Sequence, residues 1–557
     1  MKAVEYLVNE LVKYGVSDAF GIPGGVILDL LYELNDNSAI TPHLSYHEQA
    51  AVFAASGYAQ VQGTLGAAYV TRGPGLTNTV TPIADAYSES TPVVLITGHS
   101  NMSLECSTRF PADQEVDANM LFGKITKYVA RIDQIENFVS EVNIALKRAM
   151  EGRKGPVLID ALSSIWKKDL PCFQAENVIS SAESVSQCDL IYVAQKLRNA
   201  QRPVILVGDG VRQSNTVEQI EEFSTINMIP VLSSRCGTDS GASSKYYYGY
   251  IGSHGIRYSN AILSKADVIL SLGNRLSFPQ NSISYHFISE NIEVIQVDID
   301  KHELEKNKGR KTICADLKEF MQALGTMSCE RSDPLKWIKV CGQLKSTLKV
   351  YDLNDITMRL GLLISSFDKD TVIVNDVGNN EFWSSRAYVE QNRAQRLMFS
   401  KTFGALGCSI PKAIGAYYRM KKPVLCITGD QGFQINSQEL NYISYNDVKV
   451  CIVVINNRAS GMIRDREKIK KYQKYVHTTE ESGYRAVDLN KIASAYNLKY
   501  YQMQVISSKL NEMLQLPCIV ELPETDDELI PSLSIGSRIF DMNPRLPENM
   551  IDLIEQM

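Results

Sequence analysis

Short, nearly continuous apolar runs that end in Gly or Asp recur along the chain. They are PVVLITG (92–98), PVLID (156–160), PVILVGDG (203–210), DVILSLG (267–273), EVIQVDID (293–300), TVIVNDVG (371–378), PVLCITGD (423–430) and KVCIVVINN (449–457). A strand that alternates apolar and polar residues buries one face. A run that is apolar at every position is buried on both, as in a parallel strand with helices on either side of its sheet. Helical segments lie between the runs, so the pattern specifies an α/β chain with several open parallel sheets. At 557 residues the chain exceeds what one hydrophobic core holds, and two or three domains are expected. Residues 166–188 and roughly 328–350 lack strong periodicity and read as connectors, which gives expected domains at 1–165, 189–327 and 351–557. The first and third could share a fold without sharing sequence.

A formal charge of -6 argues against a nucleic-acid or acidic-lipid surface, because neutralising phosphates needs clustered Lys and Arg. No stretch reaches the roughly eighteen uninterrupted apolar residues that span a bilayer. The opening MKAVEYLVNELVKYG has helical spacing and charges where a signal peptide has an apolar core. The 11 cysteines form no CxxC pair and the 7 histidines no HExxH spacing, so reduced core thiols in a cytoplasmic protein are expected, with no zinc site.

The chemistry is concentrated at Gly429-Asp430, which ends one strand run, and Asn456-Asn457, which ends the next, with Asn456 26 positions after Asp430. This spacing is a strand–helix–strand unit, and it brings both polar pairs to the carboxyl ends of neighbouring strands, where open α/β sheets bind ligands. A hard cation such as Mg²⁺ takes oxygen ligands in an octahedron, commonly one or two protein groups plus phosphate oxygens. Asp430, Asn457 and the carbonyl of Ala459 could supply three, and a diphosphate two more. A second cluster, His47-Glu48-Gln49-Ala50-Ala51, places a glutamate at the start of an apolar helical segment, where it needs a partner.

These residues resemble the thiamine-diphosphate enzyme family, whose cofactor signature begins GDG and ends NN about thirty residues on. The chain departs at the third position, reading Gly429-Asp430-Gln431-Gly432. The resemblance to acetolactate synthases within that family covers almost the whole chain. Gly21-Ile22-Pro23-Gly24-Gly25 looks like their glycine-rich loop near the thiazolium, and Thr71-Arg72-Gly73-Pro74-Gly75-Leu76-Thr77-Asn78 resembles their GPGxTN turn. Asn375-Asp376-Val377-Gly378 followed by Asn379, Asn380 and Trp383 is similar to their DVGxxxxW segment. Phe403-Gly404-Ala405-Leu406-Gly407 stands where they put an apolar wedge under the cofactor, here Leu406, and Gly461-Met462-Ile463 matches their GMV.

The resemblance implies bound thiamine diphosphate and Mg²⁺. Glu48 would meet the aminopyrimidine and promote loss of the thiazolium proton, and Gln114 and Lys127 would complete the catalytic set. It implies decarboxylation of a 2-keto acid such as pyruvate and transfer of the two-carbon unit to a carbonyl acceptor. A homodimer or homotetramer is expected, with active sites between subunits. Alternatives are a simple 2-keto-acid decarboxylase and a non-catalytic nucleotide-binding homologue.

Residues 248–276 resemble the flavin-binding stretch of acetolactate synthases, with Gly252, His254, Gly255, Gly273 and Arg275 matching. Gly208 and Gly210 end an earlier strand, and Asp298 and Asp316 fall where ribose and adenine would be held. FAD in a non-redox role is expected, the alternative being an empty nucleotide-fold domain. The family's FDDR continuation is replaced by Leu276-Ser277-Phe278-Pro279. Where branched-chain enzymes carry an acceptor-shaping tryptophan this chain has Arg466, within Ile463-Arg464-Asp465-Arg466, and their Phe-Gln-Glu reads Asp113-Gln114-Glu115. Guanidinium and carboxylate groups favour a polar or anionic acceptor, and the tail 540–550 resembles proteins of surface-sugar biosynthesis, where the acceptor would be a keto sugar.

Overall fold

The computed structural model describes every residue except 101–112, 172–184, 278, 308, 392–394, 504–513 and 525–528. Most of the connector expected at 166–188, and Phe278, lie outside the described residues. The eight apolar runs become eight of the eighteen strands in three six-stranded sheets in which every pairing is parallel. The first contains β1 (Asp18–Gly21), β2 (Thr41–Leu44), β3 (Gly66–Tyr69), β4 (Val93–His99), β5 (Tyr128–Ile132) and β6 (Val157–Leu162). The second contains β7 (Pro203–Val207), β8 (Val231–Ser234), β9 (Tyr247–Ile251), β10 (Val268–Leu272), β11 (Glu293–Asp298) and β12 (Lys311–Cys314). The third contains β13 (Val372–Asn375), β14 (Leu397–Met398), β15 (Val424–Gly429), β16 (Val450–Asn456), β17 (Lys499–Gln502) and β18 (Cys518–Pro523).

The first sheet runs β2-β1-β3-β4-β6-β5 and the third β14-β13-β15-β16-β18-β17, which is the same order. The expected likeness of the first and third domains is therefore one of topology. The second runs β12-β11-β10-β7-β8-β9, the order of dinucleotide-binding folds. In each sheet the winding reverses beside the first strand, between β1 and β3, β7 and β10, and β13 and β15. The carboxyl ends of the two strands at such a reversal leave a crevice in which open α/β sheets take ligands.

One expected connector is a helix. Pro334–Leu348 forms a regular helix that buries Trp337, Cys341, Leu344 and Leu348, and the Trp337 indole donates to the carbonyl of Pro203 (3.0 Å) at the start of β7. Its buried positions recur at helical spacing, but the lysines between them dilute the pattern.

The first and third domains meet where the helix Glu48–Gln62 crosses the helix Ser409–Met420. A side chain at Gly57 would collide with the carbonyl of Lys412, and one at Gly415 with that of Ala54, so the backbones touch. Within this contact the Lys412 ammonium is fully buried and bonds Asp85 at 2.9 Å. Asp85 lies on the helix Val80–Ser88 and also takes a hydrogen bond from Ser400. Arg396 joins all three domains, donating to the carbonyl of Gln60 (2.9 Å) and pairing with Asp239 of the second domain. Among the described residues no helix is long and apolar enough to cross a membrane.

Asp85→Ala leaves the Lys412 charge buried without its partner and should lower stability by about 3–5 kcal/mol, while the double change Asp85→Leu with Lys412→Met should recover most of it. Equal loss in both variants, read from thermal melts, would show that the pair does not couple the domains.

Candidate active site

At the reversal of the third sheet, Asp376 organises the backbone. Its carboxylate accepts from the N–H groups of Val377 (2.8 Å), Gly407 (2.8 Å) and Ser409 (3.0 Å) and from the Ser409 hydroxyl (2.6 Å). This ties the 403–409 loop, with Gly404 and half-buried Leu406, to the end of β13. Gly432 has to lack a side chain, because a Cβ there would lie 2.9 Å from both the Asp376 carboxyl group and the Thr428 hydroxyl. Gln431 is exposed, and only its N–H turns inward, to Asp430 Oδ1 at 3.0 Å. The departure from GDG thus falls where the side chain points away from Asp376.

Asp430 is 3% exposed, and its Oδ2 has no hydrogen-bond partner among the described residues. Burial pushes its carboxyl up to about 6, against the Tyr484 hydroxyl and the Gln431 N–H, which lower it. Beside it, past the end of β16, Asn457 Oδ1 accepts from the Ala459 N–H at 3.3 Å. A Cβ on Gly461 would come 2.5 Å from Asn457 Nδ2 and 3.2 Å from Asn379 Nδ2, so the glycine lets the helix Gly461–Ile469, which carries Met462, begin against both amides. Asn379 donates to Asp465 Oδ2 (2.7 Å), whose other oxygen takes Arg464 (3.1 Å), and Asn380 donates to the carbonyl of Asp376 (2.7 Å). No group of three or more His, Cys, Asp or Glu side chains forms a metal site among the described residues. The orphaned carboxylate oxygen with amide and carbonyl oxygens around it instead fits a hard divalent cation that completes its shell with ligand oxygens.

At the reversal of the first sheet, Glu48 opens its helix under the His47 cap, whose ring nitrogen accepts from the Gln49 N–H at 3.1 Å. Its Oε2 accepts from Asn78 Nδ2 at 3.0 Å, and a Cβ on Gly75 would stand 3.4 Å from Oε1. Thr71 fills the space between two glycines: a side chain at Gly24 would strike it, and one at Gly75 would meet its methyl at 2.8 Å. Gly25 then begins a 3-10 turn, Gly25–Ile27. Gln114, at φ 55°, touches the same loop, since a Cβ on Gly73 would be 2.8 Å from its own. Lys127 does not join this group. It precedes β5, at the amino edge of the sheet, and donates to the carbonyl of Glu151 at 2.7 Å, whereas Glu48 and Asn78 lie at the carboxyl edge. The turn before Glu48 is held from the third domain by Glu439, whose Oε1 accepts from the Tyr46 N–H at 2.9 Å and whose carboxyl burial pushes up to about 7. Among the described residues, no hydrogen bond or ion pair joins Glu48 or Asn78 directly to Asp430, Asn457 or Asn379.

At the reversal of the second sheet, a cleft of about 290 Å³ is lined by Gly208, Gly210, Gly273, Arg275, Asp298 and Asp316. Its glycines let two strand ends meet, the Gly210 N–H bonding the carbonyl of Gly273 at 3.1 Å. Burial raises Asp298 to about 6, and Asp316 caps the helix Leu317–Leu324 through the Lys318 N–H at 2.7 Å. His254 does not line this cleft. It stacks on Phe382 (centroids 4.6 Å apart) in a separate cavity between the second and third domains, where burial and nearby arginines push it down to about 3. Arg235 of that cavity and Tyr484 beside Asp430 have no local motif, and Glu381 falls at an unspecified position of the Asp376–Trp383 segment. Distant segments bring them to the site, and only the two strand-end loops were visible from spacing.

Folded Glu439 keeps its proton to about pH 7, against an ordinary glutamate value of 4.5. This group therefore favours the fold fully below the lower value, and the contribution is lost as pH rises through the higher one. Glu439→Gln removes the ionisation, so its melting temperature relative to the parent should climb between pH 5 and pH 8. A difference that stays flat across that range would contradict the assigned burial.

Each of the three domains carries a family match: the N-terminal TPP binding domain of thiamine pyrophosphate enzymes over residues 1–119, their central domain over 190–324 and their C-terminal TPP binding domain over 376–521. The chain is 30% identical to a probable acetolactate synthase large subunit of Methanocaldococcus jannaschii, across 100% of this chain and 98% of that protein. It is 31% identical to the acetolactate synthase large subunit of Lactococcus lactis, across 96% and 94% of the two chains, and 32% identical to a probable one of Methanococcus aeolicus, across 92% and 90%. With family matches in all three domains and relatives aligned end to end, the chain belongs to the thiamine pyrophosphate enzyme family.

Proposed function

We propose that this enzyme decarboxylates a 2-keto acid, with pyruvate as donor, and joins the two-carbon unit to a carbonyl acceptor, as an acetolactate synthase does. The observation that carries the reading is the buried Asp430 carboxylate, one oxygen of which meets no hydrogen-bond geometry among the described residues, beside Asn457 on the adjacent strand end. That pair and the Ala459 carbonyl would hold Mg²⁺, leaving positions for diphosphate oxygens. Thiamine diphosphate, when bound, supplies the carbon nucleophile and the electron sink that allow a 2-keto acid to lose CO₂.

The chain's own residues position and exclude. Glu48 would hold the proton exchanged with the pyrimidine ring, its Oε2 fixed by Asn78 and Oε1 left clear by Gly75. Gly24, Gly25 and Gln114 would shape the loop around it. Leu406 and Met462 would supply apolar bulk that displaces water from the reacting carbon. Gly404, Asn379, Asn380 and the Gly429–Gly432 turn would line the diphosphate end.

The reading includes a homodimer or homotetramer in which each site draws on two copies, Glu48 from one and Asp430 from the other. The dinucleotide order of the second sheet and the acidic, glycine-lined cleft support FAD in a non-redox role, with Asp298 and Asp316 suited to ribose and adenine donors. The 9 described cysteines are all free thiols, in keeping with a cytoplasmic location.

Glu48→Gln should cut CO₂ release from pyruvate by about 100-fold or more while leaving thiamine diphosphate and Mg²⁺ binding measurable by calorimetry. An unchanged rate would remove Glu48 from the chemistry, and a wild-type protein that releases CO₂ without a ligated product would be a simple decarboxylase.

A further inference from the structure

The cavity between the second and third domains, about 300 Å³, opens beside Asn379, Gly404 and Met462 and so adjoins the proposed cofactor site. Its wall is formed by Arg235 and His254 from the second domain and by Glu381 and Phe382 from the third. The Arg235 guanidinium lies 4.7 Å from the centroid of Phe382, and His254 stacks on the same ring. The Phe382 ring is thus in contact with both a cation and a neutral imidazole.

Glu381 is 2% exposed. Its Oε1 stands 3.0 Å from Arg235 Nε, yet the alignment leaves both atoms without a hydrogen bond among the described residues. The two charges compensate each other, but the misaligned donor and acceptor each keep hydrogen-bonding capacity that a third group can take up. A hydroxyl group both donates and accepts, and so matches the pair; a methyl group does neither.

On the carboligase reading, we propose that Glu381 and Arg235 are the residues that read the acceptor, and that the acceptor is a carbonyl compound bearing a hydroxyl group. The hydroxyl donates to Glu381 Oε1 and accepts from Arg235 Nε. In the reaction the bond between pyruvate's carboxyl and keto carbons breaks and CO₂ leaves. The keto carbon bonds to the acceptor's carbonyl carbon, and one proton from solution completes the new alcohol. No oxidant or reductant is needed. A small aliphatic keto acid would bury its alkyl group against a buried ion pair and give it no hydrogen bond, which is how a site built for a hydroxyl rejects an analogue that lacks one.

Hydroxyacetone and 2-butanone differ by a hydroxyl in place of a methyl. Offered together with ¹³C-pyruvate, they should give ligated products at a ratio of about 100 to 1 or higher in favour of hydroxyacetone. Glu381→Gln weakens the charge-assisted bond and should lower that ratio about tenfold, and Glu381→Leu should abolish the preference. The ratio is internal to each sample, so a partly unfolded variant still reports it. Ligand-observed NMR of hydroxyacetone binding, without turnover, should show the same loss. A ratio near one in the parent, or one that neither substitution moves, overturns the assignment of Glu381. Hydroxyacetone binding that depends on Glu381 without any CO₂ release would keep the hydroxyl site and overturn the carboligase reading instead.

Discussion

The crossing of the helices Glu48–Gln62 and Ser409–Met420 fixes where everything else stands. Gly57 and Gly415 bring the backbones into contact, and the contact buries a lysine that Asp85 must neutralise. Packing without side-chain bulk permits little sliding, and a buried ion pair tolerates still less, since parting the charges strands one in a low-dielectric interior. The helix that Glu48 opens is thereby set against the third domain. Glu439, from that domain, holds the turn that precedes it.

Parallel sheets then concentrate function. In a parallel sheet every strand ends on the same edge, and the reversal of winding leaves a crevice there. The chain uses this three times. The first sheet presents Glu48 and Asn78, the second the glycine-lined cleft, and the third Asp430 beside Asn457. Side chains on strand-end loops can be chemically costly, as the unsatisfied Asp430 oxygen is, because the strands behind them are continuously apolar and buried. Lys127 makes the contrast: on the opposite edge, its ammonium serves a carbonyl of its own domain.

The sequence made visible what depends on local spacing. Doubly buried strands show as unbroken apolar runs, so the fold class is legible, and the spacing of Asp430 and Asn457 places them at the ends of two neighbouring strands. The helix Pro334–Leu348 was missed because its buried face is a narrow stripe between lysines. The role of Gly432 could not be read either, since the atom that excludes a side chain there belongs to Asp376, far away in the chain. His254 stands in sequence with the flavin-type stretch 248–276, but its ring is claimed by Phe382 of another domain. Arg235 meeting Glu381 is of the same kind: no pattern in either segment announces a partner that tertiary packing supplies.

The central claim is that the Glu48 and Asp430 clusters hold one thiamine diphosphate molecule between two copies of the chain. A crystal structure of the protein with thiamine diphosphate and Mg²⁺ tests it most directly. The account predicts a metal ion on Asp430 and Asn457 bridging to the diphosphate, with the pyrimidine ring against Glu48 of a second copy. A cofactor enclosed by a single chain, or clusters that face separate cavities with nothing spanning them, would contradict it.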